Sequence, residues 1–257
     1  MTFTDRTVLI TGAGTGIGLA LAEELAGRGA RVLTCGRTER TLRDAQARAR
    51  GLEYLVADVT DDGDRQRLLD WVEAEHPETS VLINNAGIQR TADVRDGPGA
   101  LKTGEVAVNL EAPVRLADRF LPRLLALAEA GRPAALVNVT SGLGYVPLAS
   151  SPVYSATKAG LQAFTRALRV QLRGTGVEVV DLAPPAVDTA LLRGAGGVPE
   201  DGKGGPPVIE PDEFARKAVR ALEKGETEVR VGGANLLYVL GRLAPRGAVG
   251  LLSRLAS

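Results

Sequence analysis

The chain has 257 residues, with 31 Lys plus Arg against 31 Asp plus Glu and therefore no formal net charge. No basic surplus points to nucleic acid and no acidic tail points to disorder, while a lone cysteine, Cys35, excludes an intramolecular disulfide and fits a reducing cytoplasm. The single histidine, His76, precedes Pro77 in a polar loop, so neither a histidine-based triad nor a metal site is expected.

Residues 1–6 carry polar and charged side chains, which argues against a secretory leader, and no apolar run is long enough to span a bilayer. The expectation is a cytoplasmic protein. Residues 7–10 form a short β-rich run, followed at once by Thr11-Gly12-Ala13-Gly14-Thr15-Gly16-Ile17-Gly18 and an amphipathic helix over 19–28. Strand, glycine-rich turn and helix is the context in which backbone approaches a pyrophosphate at a helix amino end. A second strand, 30–35, ends in Gly36 and Arg37. An acid there would bind the 2′-hydroxyl of an NAD ribose. The arginine suits the 2′-phosphate of NADP instead, so NADP(H) is favoured over NAD(H).

A polar helix over 38–50 leads to a third strand, 52–57, which ends in Asp58-Val59, and to a helix over 62–74. The fourth strand, 81–83, ends in Asn84-Asn85-Ala86-Gly87, a turn at the carboxyl edge of the sheet. Residues 89–104 read as loop with a short helical turn, and 105–130 as helix with Asn109 among apolar neighbours. The apolar strand 134–139 runs to Ser141, and the helix over 153–173 carries Tyr154 and Lys158 at i and i+4. That spacing puts phenol and ammonium on one helix face. A free tyrosine ionises near pH ~10, and a neighbouring positive charge is expected to draw it towards neutrality, fitting it for proton transfer with a carbonyl or alcohol. Ser141, at a strand's carboxyl end, is placed to hydrogen-bond the same oxygen.

The sixth strand, 177–182, ends in Ala183-Pro184-Pro185-Ala186-Val187-Asp188-Thr189. Residues 193–207 are dense in Gly and Pro, and a substrate flap is expected over 190–211. A helix over 212–223 and a strand over 228–231 follow. The apolar segment 234–257 carries arginines at 242, 246 and 254 and is expected to pack on the domain or a partner subunit, with contact to a membrane surface the lesser alternative. No repeat and no linker divides residues 1–257, which read as one α/β domain.

Together these motifs resemble the short-chain dehydrogenase/reductase family over about residues 7–189. The resemblance implies a Rossmann-type, doubly wound, mainly parallel seven-stranded sheet with helices on both faces. It implies cofactor contacts from Gly12, Thr15, Gly16, Ile17, Gly18, Arg37, Asp58, Val59, Asn85, Ala86, Gly87, Tyr154, Lys158, Pro184, Val187 and Thr189. Asn109, Ser141, Tyr154 and Lys158 match the family's catalytic tetrad. By that analogy Tyr154 is the general acid/base, Lys158 lowers its pKa and holds the ribose, Ser141 steadies the substrate oxygen, and Asn109 holds a water on the proton path. A small-molecule carbonyl or alcohol substrate and a homodimer or homotetramer are implied as well. Pro185 replaces the glycine usual after Pro184, which stiffens the backbone there. Residues 86–90 and this double proline resemble a branch of the family associated with D-alanine esterification of teichoic acids. That association is one of genome position and carries no substrate. A cofactor-binding scaffold without turnover, or an epimerase or dehydratase on the same fold, stands as the alternative.

Overall fold

Runs of Val, Ile and Leu with no polar face need cover on both sides, which a parallel sheet between two helical layers provides. The computed structural model describes residues 2–195 and 207–255. β1 (Thr7–Thr11) leads into α1 (Gly16–Gly27), β2 (Arg31–Gly36) into α2 (Glu39–Arg48), and β3 (Glu53–Val56) into α3 (Asp62–Glu75). β4 (Thr79–Asn84) is followed by a 3-10 turn at Val94–Asp96, by α4 (Gly104–Val106), by a π-helical stretch at Ala107–Glu111, and by α5 (Ala112–Glu129). β5 (Ala134–Val139), a 3-10 turn at Gly142–Gly144 and α6 (Pro152–Gln171) come next. Then follow β6 (Val177–Ala183), β7 (Ala186–Val187), α7 (Ala190–Gly194), β8 (Val208–Ile209) and α8 (Pro211–Glu223). β9 (Glu228–Arg230), α9 (Gly233–Leu243) and α10 (Pro245–Leu255) complete the described chain.

Seven strands make one parallel sheet in the order β3-β2-β1-β4-β5-β6-β9, and β7 pairs with β8 apart from it. Side chains alternate along each strand. Val8, Ile10, Val81 and Ile83 pack on one face with Leu21 and Leu25 of α1 and with Phe214 and Val219 of α8. Leu9, Leu82 and Leu136 pack on the other with Leu68 of α3 and Phe120 of α5. Each such fully buried side chain contributes roughly 1.5–3 kcal/mol of transfer free energy. Chain order reverses between β1 and β4, and beyond the carboxyl ends of strands at such a reversal an open α/β sheet has its crevice.

The structure departs from the sequence reading in a few places. α1 starts at Gly16, three residues before the expected 19, so more of the glycine turn belongs to the helix. The helix expected over 105–130 is interrupted by the π-helical stretch that holds Asn109. The tail divides at Ala244-Pro245, because Pro245 has no N–H to donate and its predecessor leaves helical geometry (φ −142°, ψ 56°). His76 is buried rather than exposed in a loop, with the Trp71 ring edge-on at 4.8 Å. Of the flap expected over 190–211, α7 and β8 are seen at its two ends, and 196–206 lies outside the described residues.

Candidate active site

The glycine turn is shaped by contacts that leave no room for side chains. Gly12 has φ +71°, and a Cβ there would stand 3.0 Å from the Ala86 Cα. A Cβ on Gly18 would come within 2.4 Å of Asn85 Nδ2 and 2.6 Å of the Gly12 carbonyl oxygen. Asn85 clamps the turn from β4: its Nδ2 donates to the carbonyls of Thr11 (2.9 Å) and Gly12 (3.2 Å). The Thr11 hydroxyl in return accepts from the backbone N–H groups of Asn85 and Ala86 at 3.0 and 3.1 Å. Asn85 is thus occupied in holding the turn as well as lining the cleft beside it.

That cleft, of about 460 Å³, is continuous over the carboxyl ends of the strands. Gly12, Thr15, Gly16, Ile17, Gly18, Arg37, Asp58, Val59, Asn85, Ala86, Gly87, Ser141, Tyr154, Lys158, Pro184, Val187 and Thr189 all line it. Asn109 does not; it is fully buried behind the wall. At one end Arg37 stands exposed, 4.0 Å from Asp58, whose carboxylate accepts from the Thr60 N–H and hydroxyl. At the other end lie Ser141, Tyr154 and Lys158. An elongated dinucleotide would fit this shape: the α1 amino end and the bare glycine backbone would face its pyrophosphate, and Gly87 keeps open the space beside Lys158 Nζ, 3.6 Å from where a Cβ would sit. Among the described residues no three His, Cys, Asp or Glu side chains gather to hold a metal.

At the inner end, Lys158 Nζ donates to the Val139 carbonyl at 2.8 Å and lies 5.7 Å from the centre of the Tyr154 ring. Burial pushes the Tyr154 phenol up to about 12, overriding the lowering effect of its hydrogen bond with Ser141, and Glu105 raises it further. Burial pulls Lys158 down to about 8, against the raising effect of Asp181. The lowered phenol expected from helix spacing is therefore not seen. Both groups are in low dielectric, which favours the neutral form of each. Asn109 sits in the π-helical stretch, a distortion that recurs at functional sites. Its Oδ1 accepts from the Ile88 N–H (2.9 Å), while its Nδ2 donates to the Ile88 carbonyl (2.8 Å) and to Thr157 Oγ1 (3.2 Å). The segment after β4 is thereby tied to α6, one turn from Tyr154.

Sequence reasoning passed over a polar rung beneath the site. Asn84, Asn138 and Asp181 stand at one register on β4, β5 and β6, and all three are buried. Asn84 Nδ2 donates to Asn138 Oδ1 (2.9 Å), and Asn138 Nδ2 to Thr165 Oγ1 on α6 (2.9 Å). Asp181 accepts from Thr140 Oγ1 (2.5 Å) and the Tyr145 hydroxyl (3.3 Å), and burial raises its pKa. Gln162 donates to the Ser141 carbonyl at 3.0 Å, fixing the turn that presents the serine. The available signal was clearest in β5, where Asn138 alone interrupts an apolar strand, a pattern that demands buried partners.

The model of the short chain dehydrogenase family matches residues 6–196. An uncharacterised oxidoreductase of Bacillus subtilis strain 168, DltE, is 41% identical over 234 residues, 89% of either chain. A short chain dehydrogenase from Burkholderia cenocepacia J2315, solved in complex with NADP, is 29% identical, superposes with a TM-score of 0.80 and is covered in full by this chain, itself covered in full. A short chain dehydrogenase/reductase from Burkholderia phymatum in complex with NAD has the same fold at 23% identity, with a TM-score of 0.80 over 95% of this chain and 94% of its own.

Proposed function

The chain belongs to the short chain dehydrogenase family, and on that premise we propose that it interconverts a carbonyl and a secondary alcohol with NADP(H) as the preferred cofactor. One observation carries the reading: the Ser141 and Tyr154 hydroxyls meet beside Lys158 at the inner end of a cleft whose outer end holds the glycine turn and Arg37. The nicotinamide, when bound, exchanges the hydride with the substrate carbon. Tyr154 gives its phenolic proton to the carbonyl oxygen as that oxygen gains charge, or takes one from the alcohol in reverse. A phenol held at about 12 is fully protonated at neutral pH, which suits the reducing direction. Ser141 donates a second hydrogen bond to the same oxygen. Lys158 supplies positive charge beneath the phenol and is assigned to the nicotinamide ribose, and the phenol regains its proton from solvent. Asn109 and Thr157 keep that lysine's surroundings in place.

The preference for NADP rests on Arg37, whose exposed guanidinium stands 4.0 Å from Asp58 and suits bidentate contact with a 2′-phosphate, and is supported by the NADP complex of the Burkholderia cenocepacia relative. Asp58 is assigned to the adenine and Pro184, Val187 and Thr189 to the nicotinamide end. A neutral chain with a small-molecule cleft fits a cytoplasmic homo-oligomer with no nucleic-acid role. The test follows NADPH absorbance over ketones, aldehydes and quinones, with Tyr154→Phe beside the parent chain. Turnover that falls roughly 10²–10⁴-fold in the variant, with NADPH binding retained, is expected. Equal turnover in both proteins would remove the proton-transfer role of Tyr154.

A further inference from the structure

The two ends of the cleft differ in chemistry. Among the described residues that line it, three are charged: Arg37 and Asp58 at the outer end, and Lys158 beneath the phenol. Around the Ser141 and Tyr154 hydroxyls the wall is aliphatic, made by Leu143, Leu148, Leu237 and Leu252. Backbone bonds hold two of these beside the site. The Leu143 N–H donates to Ser141 Oγ, and the Leu148 N–H to Oγ of Ser155, the residue after Tyr154, each at 3.1 Å. The other two come from the last helices, beyond residue 196 where the family match ends. Leu237 of α9 leans on the serine turn, where a Cβ on Gly142 would stand 2.7 Å from its Cδ1. Leu252 of α10 shares an apolar cluster with Leu148 and Val146, and its neighbour Ser253 accepts from the Ala149 N–H at 3.2 Å.

Nothing polar on that side is left over for a charged substrate. Gln89 also lines the cleft, but its Nε2 donates to Ser151 Oγ at 3.2 Å. Arg193 on α7 is turned to Asp188 at 2.8 Å, and neither lines the cleft. Lys158 is committed to the Val139 carbonyl. A carboxylate or phosphate drawn in among the leucines would shed its water and meet no further cation among the described residues, a cost far above what apolar contact returns. A hydrocarbon chain there gains at every carbon that leaves water. Resting on the carbonyl–alcohol reading above, we propose that the substrate is an uncharged ketone or aldehyde whose larger substituent is aliphatic. Leu237, which stands against the serine turn, is the residue that sets how well that substituent is held.

Steady-state kinetics of the full chain with NADPH over 2-butanone, 2-hexanone and 2-octanone test this. Each added methylene is expected to raise kcat/KM about fourfold, the transfer free energy of one buried methylene. The anion 5-oxohexanoate, which is 2-hexanone with a carboxylate in place of its terminal methyl, should fall below 2-hexanone by on the order of 100-fold. Leu237→Ala should cut the ratio of kcat/KM for 2-octanone over 2-butanone about tenfold. Equal loss on both ketones would make Leu237 a support of the serine turn and overturn its role. A flat chain-length series, or a preference for the oxo acid, overturns the substrate class. Calorimetric titration of 2-butanol, 2-hexanol and 2-octanol into the NADPH-saturated protein reads the same wall without turnover. Affinity that climbs with chain length while no ketone is reduced would uphold the aliphatic wall and sink the reaction reading. Turnover with no chain-length dependence in either measurement would do the reverse.

Discussion

Replacing Lys158 by methionine should stabilise the protein while destroying its activity, and the gain should disappear at high pH. The lysine is 4% exposed, and burial lowers its pKa from 10.5 to about 8. At pH below 8 it is charged in both folded and unfolded chains, so the folded state carries the full cost of a buried ammonium. Between about 8 and 10.5 the folded chain releases the proton while the unfolded chain keeps it, and stability rises with pH. Above that window both are neutral and the cost is gone. A shift of this size corresponds to roughly 3 kcal/mol, at 1.36 kcal/mol per unit. Methionine, similar in length, removes the charge but leaves the Val139 carbonyl without its donor, a loss of about 1 kcal/mol. The net gain of about 2 kcal/mol raises Tm by roughly 4–8 °C in a chain of this size at pH 7. Thermal melts of both proteins, from pH 6 to pH 11 and without cofactor, check it. A difference in Tm that is zero, or that does not change with pH, would refute the placement of a strained ammonium under the phenol.

Two further outcomes follow from the cleft. Gly18→Ala puts a methyl group 2.4 Å from Asn85 Nδ2 and 2.9 Å from the Ala13 Cα, overpacking that costs roughly 1–3 kcal/mol. Tm should fall by about 5 °C in a calorimetric melt, and an unchanged Tm would show that the glycine turn is not the tight cradle described. Arg37→Ser should weaken NADPH binding by about tenfold, the low end for a charge-assisted contact at an exposed site, and leave NADH binding unaltered in a fluorescence titration. Equal losses for both cofactors would assign Arg37 to the fold and not to the 2′-phosphate.

What could be read in the sequence was whatever depends on short-range spacing. A parallel sheet covered on both faces makes each strand a continuous apolar run, so β1, β4, β5 and β6 stood out, and the glycines of the first turn stood out against them. The four-residue spacing from Tyr154 to Lys158 defines a helix face regardless of tertiary structure. What could not be read was set by packing at long range. No local pattern reveals that α9 and α10 fold back over the turn at Gly142–Gly144, where a Cβ on Gly142 would lie 2.7 Å from Leu237 Cδ1. Nor does periodicity reveal a π-helical stretch at Asn109, because it spans only five residues, too few for a change of period to show in the apolar pattern.

The ionisation of the site shows the same division and gives it a chemical consequence. Helix spacing brings an ammonium near a phenol, but the sign of the outcome depends on the dielectric around both, which belongs to the fold. Here each group is enclosed by strand ends, α6 and the segment after β4, and desolvation outweighs the Ser141 hydrogen bond at Tyr154 and the Asp181 charge at Lys158. The buried carboxylate of Asp181 sits one rung below and acts in opposition to burial, holding Lys158 nearer its charged form. It is itself raised by burial and steadied by the Thr140 and Tyr145 hydroxyls. The strand position of Asp181 therefore matters to the lysine, although nothing in its spacing from Tyr154 or Lys158 marks it.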